Sequence, residues 1–257
     1  MRVALCQMDI VWEDKEKNYQ RADKFINQAV CSNVELVLFP EMTFTGFSMC
    51  ISCTKEKDEE TISFIKAKAI EYQIAIGIGW VKAKGEKAEN HYTLINKNGE
   101  VLSDYIKIHP FSYAEEDKYF IGGERLECCE IGGSTLSTFI CYDLRFPEIF
   151  QAVSTRAGII IVAANWPKER AEHWKVLLRA RAIENQVIIL GVNCVGEKNG
   201  QYYSGDSCII NPLGEVIASL EDREGLIIHD IKDCTNEVRE LFQYKKDRKN
   251  TFYKSIL

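Results

Sequence analysis

Apolar residues along the chain fall into two periods that alternate from end to end. Residues 2–10 alternate as a strand, and from Lys15 to Ser32 the positions Tyr19, Ala22, Phe25, Ile26, Ala29 and Val30 recur at the spacing of an amphipathic helix. Residues 34–39 form a buried strand ended by Pro40, with Glu41 immediately after. A helix follows from about Glu56 to Tyr72, with Ile62, Ile65, Ala69 and Tyr72 on one side, and then a strand over 74–81. Residues 91–96 and 100–105 form a hairpin through Asn96-Lys97-Asn98-Gly99, and Lys107 sits where its second strand ends. Residues 108–130 read as a long connection rich in aromatic and acidic residues, a length that in a compact domain usually carries function.

The strand-forming run Thr135, Leu136, Thr138, Phe139, Ile140 then delivers Cys141 and stops at charges, aromatics and Pro147, where a helix starts. Residues 159–163 are a continuous apolar strand, 172–184 a helix and 187–195 a strand. A second hairpin joins 207–211 to 215–220, a strand covers 226–231, and Asp233 caps a final helix to Phe242 ahead of a polar tail.

One stretch echoes another. Ile95-Asn96-Lys97-Asn98-Gly99-Glu100-Val101-Leu102 returns as Ile210-Asn211-Pro212-Leu213-Gly214-Glu215-Val216-Ile217, each inside a predicted hairpin. The separation is far too large for a solenoid period. It fits two similar halves, each with its own sheet, related by a pseudo-twofold axis. Helices alternating with strands place the helices outside two inner sheets, an α/β layered sandwich. With no Pro/Gly/Ser-rich linker, residues 1–257 read as a single domain.

Composition narrows the function classes. Of 257 residues 46% are hydrophobic and 27% charged, enough apolar content for a sizeable core. A net charge of -6 without a Lys/Arg stripe argues against nucleic acid as a partner. No apolar run reaches membrane-spanning length and the N-terminus reads as a strand rather than a signal peptide, so the expected location is the cytoplasm. Ten cysteines, several inside apolar strands, suit reduced thiols. Cys50-Ile51-Ser52-Cys53 has the spacing of a redox or zinc pair, but no second such pair follows and the histidines at 91, 109, 173 and 229 are isolated. Plain loop or helix-start thiols are the preferred reading there, and neither metal nor cofactor is expected.

Glu41, Lys107 and Cys141 each lie at or just past a strand end, where α/β sheets bind ligands. Their chemistry is complementary. A carboxylate serves as general base for a thiol and then as acid for a departing amine. An ammonium lowers the thiol pKa and stabilises an oxyanion, and the thiolate attacks a carbonyl or nitrile carbon to form an acyl intermediate. Singly each residue has a bland role, as a helix-terminal acid, a strand-closing lysine and a packing thiol.

The surrounding motifs resemble the nitrilase superfamily of carbon–nitrogen hydrolases. They are Leu38-Phe39-Pro40-Glu41, Tyr105-Ile106-Lys107-Ile108-His109, Cys141-Tyr142-Asp143-Leu144-Arg145-Phe146-Pro147-Glu148, Asn165-Trp166-Pro167, Arg179-Ala180-Arg181-Ala182-Ile183-Glu184-Asn185 and Gly205-Asp206-Ser207. The resemblance spans essentially the whole chain. It implies a four-layer α-β-β-α sandwich with two pseudo-symmetric mixed β-sheets, usually in a homodimer or larger oligomer. It also implies Glu41 as base, Lys107 as oxyanion stabiliser, Cys141 as nucleophile and the Tyr142 backbone amide as second oxyanion donor. Many members carry a second glutamate after the lysine; Glu116 is preferred over Glu115, read as a surface acid.

The Cys-Tyr-Asp-Leu-Arg form looks like the Nit-like amidases and ω-amidases, which hydrolyse terminal amides of 2-oxo dicarboxylic acids such as 2-oxoglutaramate and 2-oxosuccinamate. True nitrilases usually follow the cysteine with other residues. A nitrilase, an N-carbamoyl-amide hydrolase and a non-catalytic binding module are the alternatives. Phe111 and Trp166 are expected to wall a small pocket for a small-molecule amide. Arg145 either attracts a substrate carboxylate or, the preferred reading, pairs with Asp143 or Glu148 to fix the elbow. Since the chain ends soon after the final helix, no attached glutamine-dependent synthetase domain is expected.

Overall fold

A computed structural model describes residues 1–256. Its strands are β1 (Arg2–Gln7), β2 (Leu36–Leu38), β3 (Ala75–Lys84), β4 (Lys87–Ile95), β5 (Val101–Ile106), β6 (Cys128–Ile131), β7 (Ser134–Ile140), β8 (Ile159–Ala164), β9 (Ile188–Asn193), β10 (Val195–Lys198), β11 (Gln201–Ile210), β12 (Val216–Glu221) and β13 (Gly225–Asp230). The helices are α1 (Lys15–Cys31), α2 (Ile51–Thr54), α3 (Glu60–Tyr72), α4 (Glu116–Tyr119), α5 (Pro147–Val153), α6 (Ala171–Asn185), α7 (Thr235–Leu241) and α8 (Asn250–Ile256).

The strands form two mixed sheets. The first runs β13-β1-β2-β3-β4-β5; the second runs β10-β11-β9-β8-β7-β6, with β12 also paired to β11. In the first, β1, β2 and β3 are parallel and β4, β5 and β13 antiparallel to their neighbours. In the second, β7, β8 and β9 are parallel, and β11, β12 and β6 antiparallel. Six strands correspond, β13-β1-β2-β3-β4-β5 to β6-β7-β8-β9-β11-β12, and β10 is additional to the second sheet.

The echoed segments are the β4–β5 and β11–β12 hairpins, and the echo extends to their atoms. Asn96 Oδ1 accepts the Asn98 and Glu100 amides while Asn211 Oδ1 accepts those of Leu213 and Glu215. Gly99 and Gly214 have φ of 78° and 82°, the left-handed conformation such a turn needs. Gly99 packs on Ile70 of α3 and Gly214 on Ile183 of α6.

Strand alternation builds the layers. Val3 and Leu5 of β1 join Leu36 and Leu38 of β2 in one cluster with Phe139, Ile160 and Val162 of the second sheet. Their neighbours Ala4 and Cys6 turn the other way, against Phe25 and Ile26 of α1 and Ile62 and Ile65 of α3. Trp174 and Leu178 of α6, with Phe150 and Val153 of α5, cover the second sheet. The result is the expected α-β-β-α order.

Several boundaries move. The strand expected over 2–10 stops at Gln7, after which Met8 crosses over and its carbonyl accepts the Val195 amide. The helix expected from Glu56 begins at Glu60 as α3, because Glu56 is held in a bridge with Lys82, and the one turn of α2 lies ahead of it. The long connection 108–130 contains α4 and β6, and the strand expected over 187–195 is β9 followed by the β10–β11 hairpin. That expected over 207–211 is the end of β11. Asp233 does accept the Thr235 amide at the start of α7, but α7 is not the last helix, since α8 follows within the polar tail. Among the described residues no helix is long and apolar enough to cross a membrane.

Candidate active site

Three strand ends deliver the reactive groups. Beyond β2 the chain turns through Pro40 and Glu41 to Met42, whose φ of 43° is left-handed. The turn rests on β3 at Gly79, where a Cβ would stand 2.5 Å from Met42 N, 2.6 Å from Pro40 O and 2.8 Å from Glu41 Cα. Glycine is therefore required beneath Glu41. Lys107 directly follows β5, its amide donating to Asn90 O at 2.9 Å and its carbonyl accepting from Gly123 N at 2.8 Å.

Cys141 directly follows β7 with φ 46°, an uncommon conformation for a side chain larger than glycine, and one that persists only when the surroundings impose it. The imposing group is Asp143. Fully buried in the one-turn 3₁₀ segment 141–145, it accepts from Ile140 N (3.1 Å), Tyr105 Oη (2.8 Å) and His109 N (3.0 Å), and its Oδ1 lies 2.8 Å from His109 Nδ1. The elbow is thus tied to the end of β5.

Glu41, Lys107, Glu116 and Cys141 meet below the surface. Lys107 Nζ donates to Glu41 Oε1 at 3.0 Å and to Glu116 Oε1 and Oε2 at 3.1 and 2.8 Å. All three side chains are 0–1% exposed. Asn90 Nδ2 donates to both carboxylates, at 2.8 Å to Glu41 and 3.2 Å to Glu116. Glu41 Oε2 accepts the Asn165 amide at 2.9 Å, and Asn165 Nδ2 returns to the Glu41 carbonyl at 2.6 Å. Glu116 Oε2 also accepts the Phe111 amide at 2.6 Å. Glu115 stays at the surface, paired with Lys118.

Burial works against a charge on Lys107, but Glu116 and Glu41 overcome it and hold its pKa above the ordinary lysine value. Burial pushes the Glu116 carboxyl up despite Lys107. Cys141 departs from expectation. Burial, then the Glu41 charge, drives its pKa well above the usual value, and Lys107 pulls the other way without prevailing. The resting group is therefore a thiol, its Sγ 3.9 Å from the carbonyl oxygen of Asn165, the residue whose amide Glu41 accepts.

Above it opens a cavity of about 160 Å³. Phe111, Tyr142 and Trp166 wall it, and Cys141, Arg145 and Arg170 share its lining. The Phe111 and Tyr142 rings lie 4.7 Å apart. Tyr142 also holds the second position of the 3₁₀ turn, where an amide has no partner within the helix.

Arg145 is not paired with Asp143 or Glu148, contrary to the preferred reading. Asp143 is saturated by its four donors, while Arg145 lies 4.9 Å over the Trp166 ring with Nη2 3.2 Å from His173 Nδ1. Asn90, Asn165, Asp143 and Arg170 are the contributors that residue-by-residue reasoning passes over. Trp166 Nε1 brings Arg170 in by donating to its carbonyl at 2.8 Å. Among the described residues, the one convergent group of metal-type donors is Glu13, Cys50 and Cys53, none of which lines the cavity.

Residues 2–240 match the family model of carbon–nitrogen hydrolases. The 2-oxoglutaramate amidase of Bacillus subtilis (strain 168) is 30% identical over 256 residues, covering 98% of both chains. The omega-amidase YafV of Escherichia coli (strain K12) is 32% identical over 222 residues, 86% of this chain and 85% of its own. Among solved structures, XC1258 of Xanthomonas campestris, a CN-hydrolase superfamily protein with an arsenic adduct in its active site, aligns with a TM-score of 0.91 at 29% identity, covering 96% of this chain and 97% of its own. The amidase of Nesterenkonia sp. AN1 aligns with a TM-score of 0.91 at 26% identity over 100% of this chain and 97% of its own. A mutant of that enzyme shows covalent addition of the acetamide moiety of fluoroacetamide at its active-site cysteine.

Proposed function

The chain belongs to the carbon–nitrogen hydrolase family, and from that premise we propose that it hydrolyses a small carboxylate-bearing amide to acid and ammonia through a Cys141 acyl-enzyme. It is an amidase; the substrate we assign is 2-oxoglutaramate or 2-oxosuccinamate. The observation that carries the reading is the buried Lys107 ammonium between two carboxylates, beside a thiol that opens into a cavity bearing two guanidinium groups.

In this mechanism Glu41 takes the thiol proton as Sγ bonds to the amide carbon. Burial that raises the thiol pKa makes such a base necessary, and donors from Asn90, Lys107 and Asn165 fix the Glu41 carboxyl in place. The oxyanion forms against the Lys107 ammonium and the Tyr142 amide, charge stabilisation by donors already fixed in place. As the C–N bond breaks, Glu41 passes its proton to the nitrogen and ammonia leaves. Water, deprotonated by Glu41, then attacks the thioester, the C–S bond breaks and the acid departs as the thiol regains its proton. Glu116 fixes Lys107 and the Phe111 loop, so it positions rather than reacts.

Arg145 and Arg170 supply the acid specificity. Arg145 has no acidic partner among the described residues, and Arg170 meets Glu169 only at 3.9 Å, so both remain open to a substrate carboxylate. We further assign a homodimer or larger oligomer in the cytoplasm. Exposed apolar Val176, Ile183, Leu213, Leu241 and Phe242 supply contact surface, and ten free cysteines suit a reducing compartment.

A panel comparing 2-oxoglutaramate with acetamide, small nitriles and N-carbamoyl acids, read by ammonia and acid release, tests the assignment. The highest kcat/KM on the 2-oxo amide supports it. Preference for a nitrile or a carbamoyl acid rejects it.

A further inference from the structure

The loop that leaves Glu41 carries a second pair of reactive groups outside the cavity. Cys50 precedes the single turn of α2 and Cys53 lies within it, and their Sγ atoms lie 2.6 Å apart on the surface. Ser52 Oγ is 3.5 Å from Cys50 Sγ, Ser48 Oγ accepts the Cys50 amide at 3.0 Å and also donates to Glu13. Met49 and Ile51, either side of Cys50, pack on Met42, Val81, Ala88 and Phe120, so the thiols project from an anchored segment. Phe47 on the same segment lines the cavity, its ring 5.3 Å from Lys107 Nζ.

We propose that Cys50 and Cys53 form a reversible disulfide with hydroperoxides as oxidant, a modification site on the segment that carries Phe47 into the catalytic pocket. The Cys50 thiolate attacks one peroxide oxygen. The O–O bond breaks, water leaves after protonation and Cys50 becomes a sulfenic acid. Cys53 sulfur then attacks Cys50 Sγ, the S–O bond breaks and a second water leaves. The peroxide gains the electron pair that the dithiol loses, and a thiol reductant reverses the step.

Two further observations place the chemistry here. Cys53 first, and Ser52 next, draw the Cys50 pKa below its ordinary value, whereas burial drives Cys141 and Cys194 up. An exposed low-pKa thiol beside a resolving cysteine is the usual pattern of peroxide-sensitive pairs. Both thiols are also exposed, so a peroxide reaches either of them from solvent. A ring closed across so few residues constrains the unfolded chain little, which leaves the bond reducible.

The test is to expose the full reduced chain to one equivalent of hydrogen peroxide, block free thiols with N-ethylmaleimide and map the cysteines by peptide mass spectrometry. The expected product is a Cys50–Cys53 disulfide that dithiothreitol reverses. In Cys53→Ser, dimedone should trap Cys50 as its sulfenic acid, and in Cys50→Ser, Cys53 should stay reduced. Oxidation of the wild-type chain without that intramolecular bond overturns the proposal. So does zinc retained through desalting by the wild type and lost in Glu13→Gln, which assigns the cluster to a metal instead.

Discussion

Replacing Lys107 with methionine removes the one positive charge from a pocket that holds two buried carboxylates. Both Glu41 and Glu116 are wholly buried, and both reach the same Asn90 Nδ2, so their oxygens face each other once the ammonium is gone. Two unit charges about 4 Å apart at an effective dielectric near 20 repel by about 4 kcal/mol. Removing one partner of a buried ion pair costs about 3–5 kcal/mol, which agrees. The expected loss near neutral pH is about 4 kcal/mol, a fall in Tm of roughly 10 °C. Its pH dependence distinguishes this cause from a packing defect.

In Lys107→Met one carboxyl holds its proton in the folded state, so its folded pKa lies above the unfolded value of about 4.3. Such a group contributes its stability below the unfolded pKa and loses it as pH rises through the folded one. The deficit against wild type must therefore be smaller at about pH 5 than at about pH 8. Urea unfolding at both pH values reads it, and adding Glu116→Gln to Lys107→Met should restore roughly 1–2 kcal/mol, since it deletes one of the opposed charges while Gln keeps an acceptor for the Phe111 amide. An equal deficit at both pH values with no rescue would refute the electrostatic reasoning and leave only lost packing.

Other changes test other parts of the site. Arg145→Ala and Arg170→Ala should each raise KM for 2-oxoglutaramate roughly 10- to 100-fold, the loss of about 1.5–3 kcal/mol of charge-assisted hydrogen bonding, and leave KM for acetamide unchanged in steady-state kinetics. Asp143→Asn turns an NH₂ towards donors from Tyr105, Ile140 or His109, and should lower stability by about 1–3 kcal/mol in urea along with kcat. Gly79→Ala drives a methyl into the backbone of the Glu41 turn, and a displacement of about 1 Å there should lower kcat roughly 100-fold.

Much of this was legible in the chain because strand ends announce themselves. An apolar run that breaks at Pro40-Glu41, or at Cys141-Tyr142-Asp143, marks both an element and the chemistry just beyond it. The paired hairpins were readable for a similar reason, since Asn96 and Asn211 each organise a turn with their own side chains. Asn90 was not readable, being one polar residue inside a strand, and only the meeting of β4 with the Glu41 turn and α4 gives it two carboxylates to bridge. Arg145 was misjudged because neighbours in sequence looked like partners, while the buried Asp143 was committed to β5. The β10–β11 hairpin was overlooked although Asn199-Gly200 is a strong turn signal; the surrounding residues are too polar for an apolar period to register. The net direction of the thiol pKa was not readable, because burial is a property of the packed site and outweighs the lowering by the nearby ammonium.

The central claim is that Cys141 carries the acyl group. Mixing the protein with 2-oxoglutaramate, quenching in acid within the first turnovers and weighing the intact chain and its peptides tests it directly. The account predicts a mass increase equal to the amide less ammonia, located on the peptide bearing Cys141, with neither adduct nor ammonia release in Cys141→Ala. Sustained ammonia release by Cys141→Ala, or an adduct on any other residue, would contradict it.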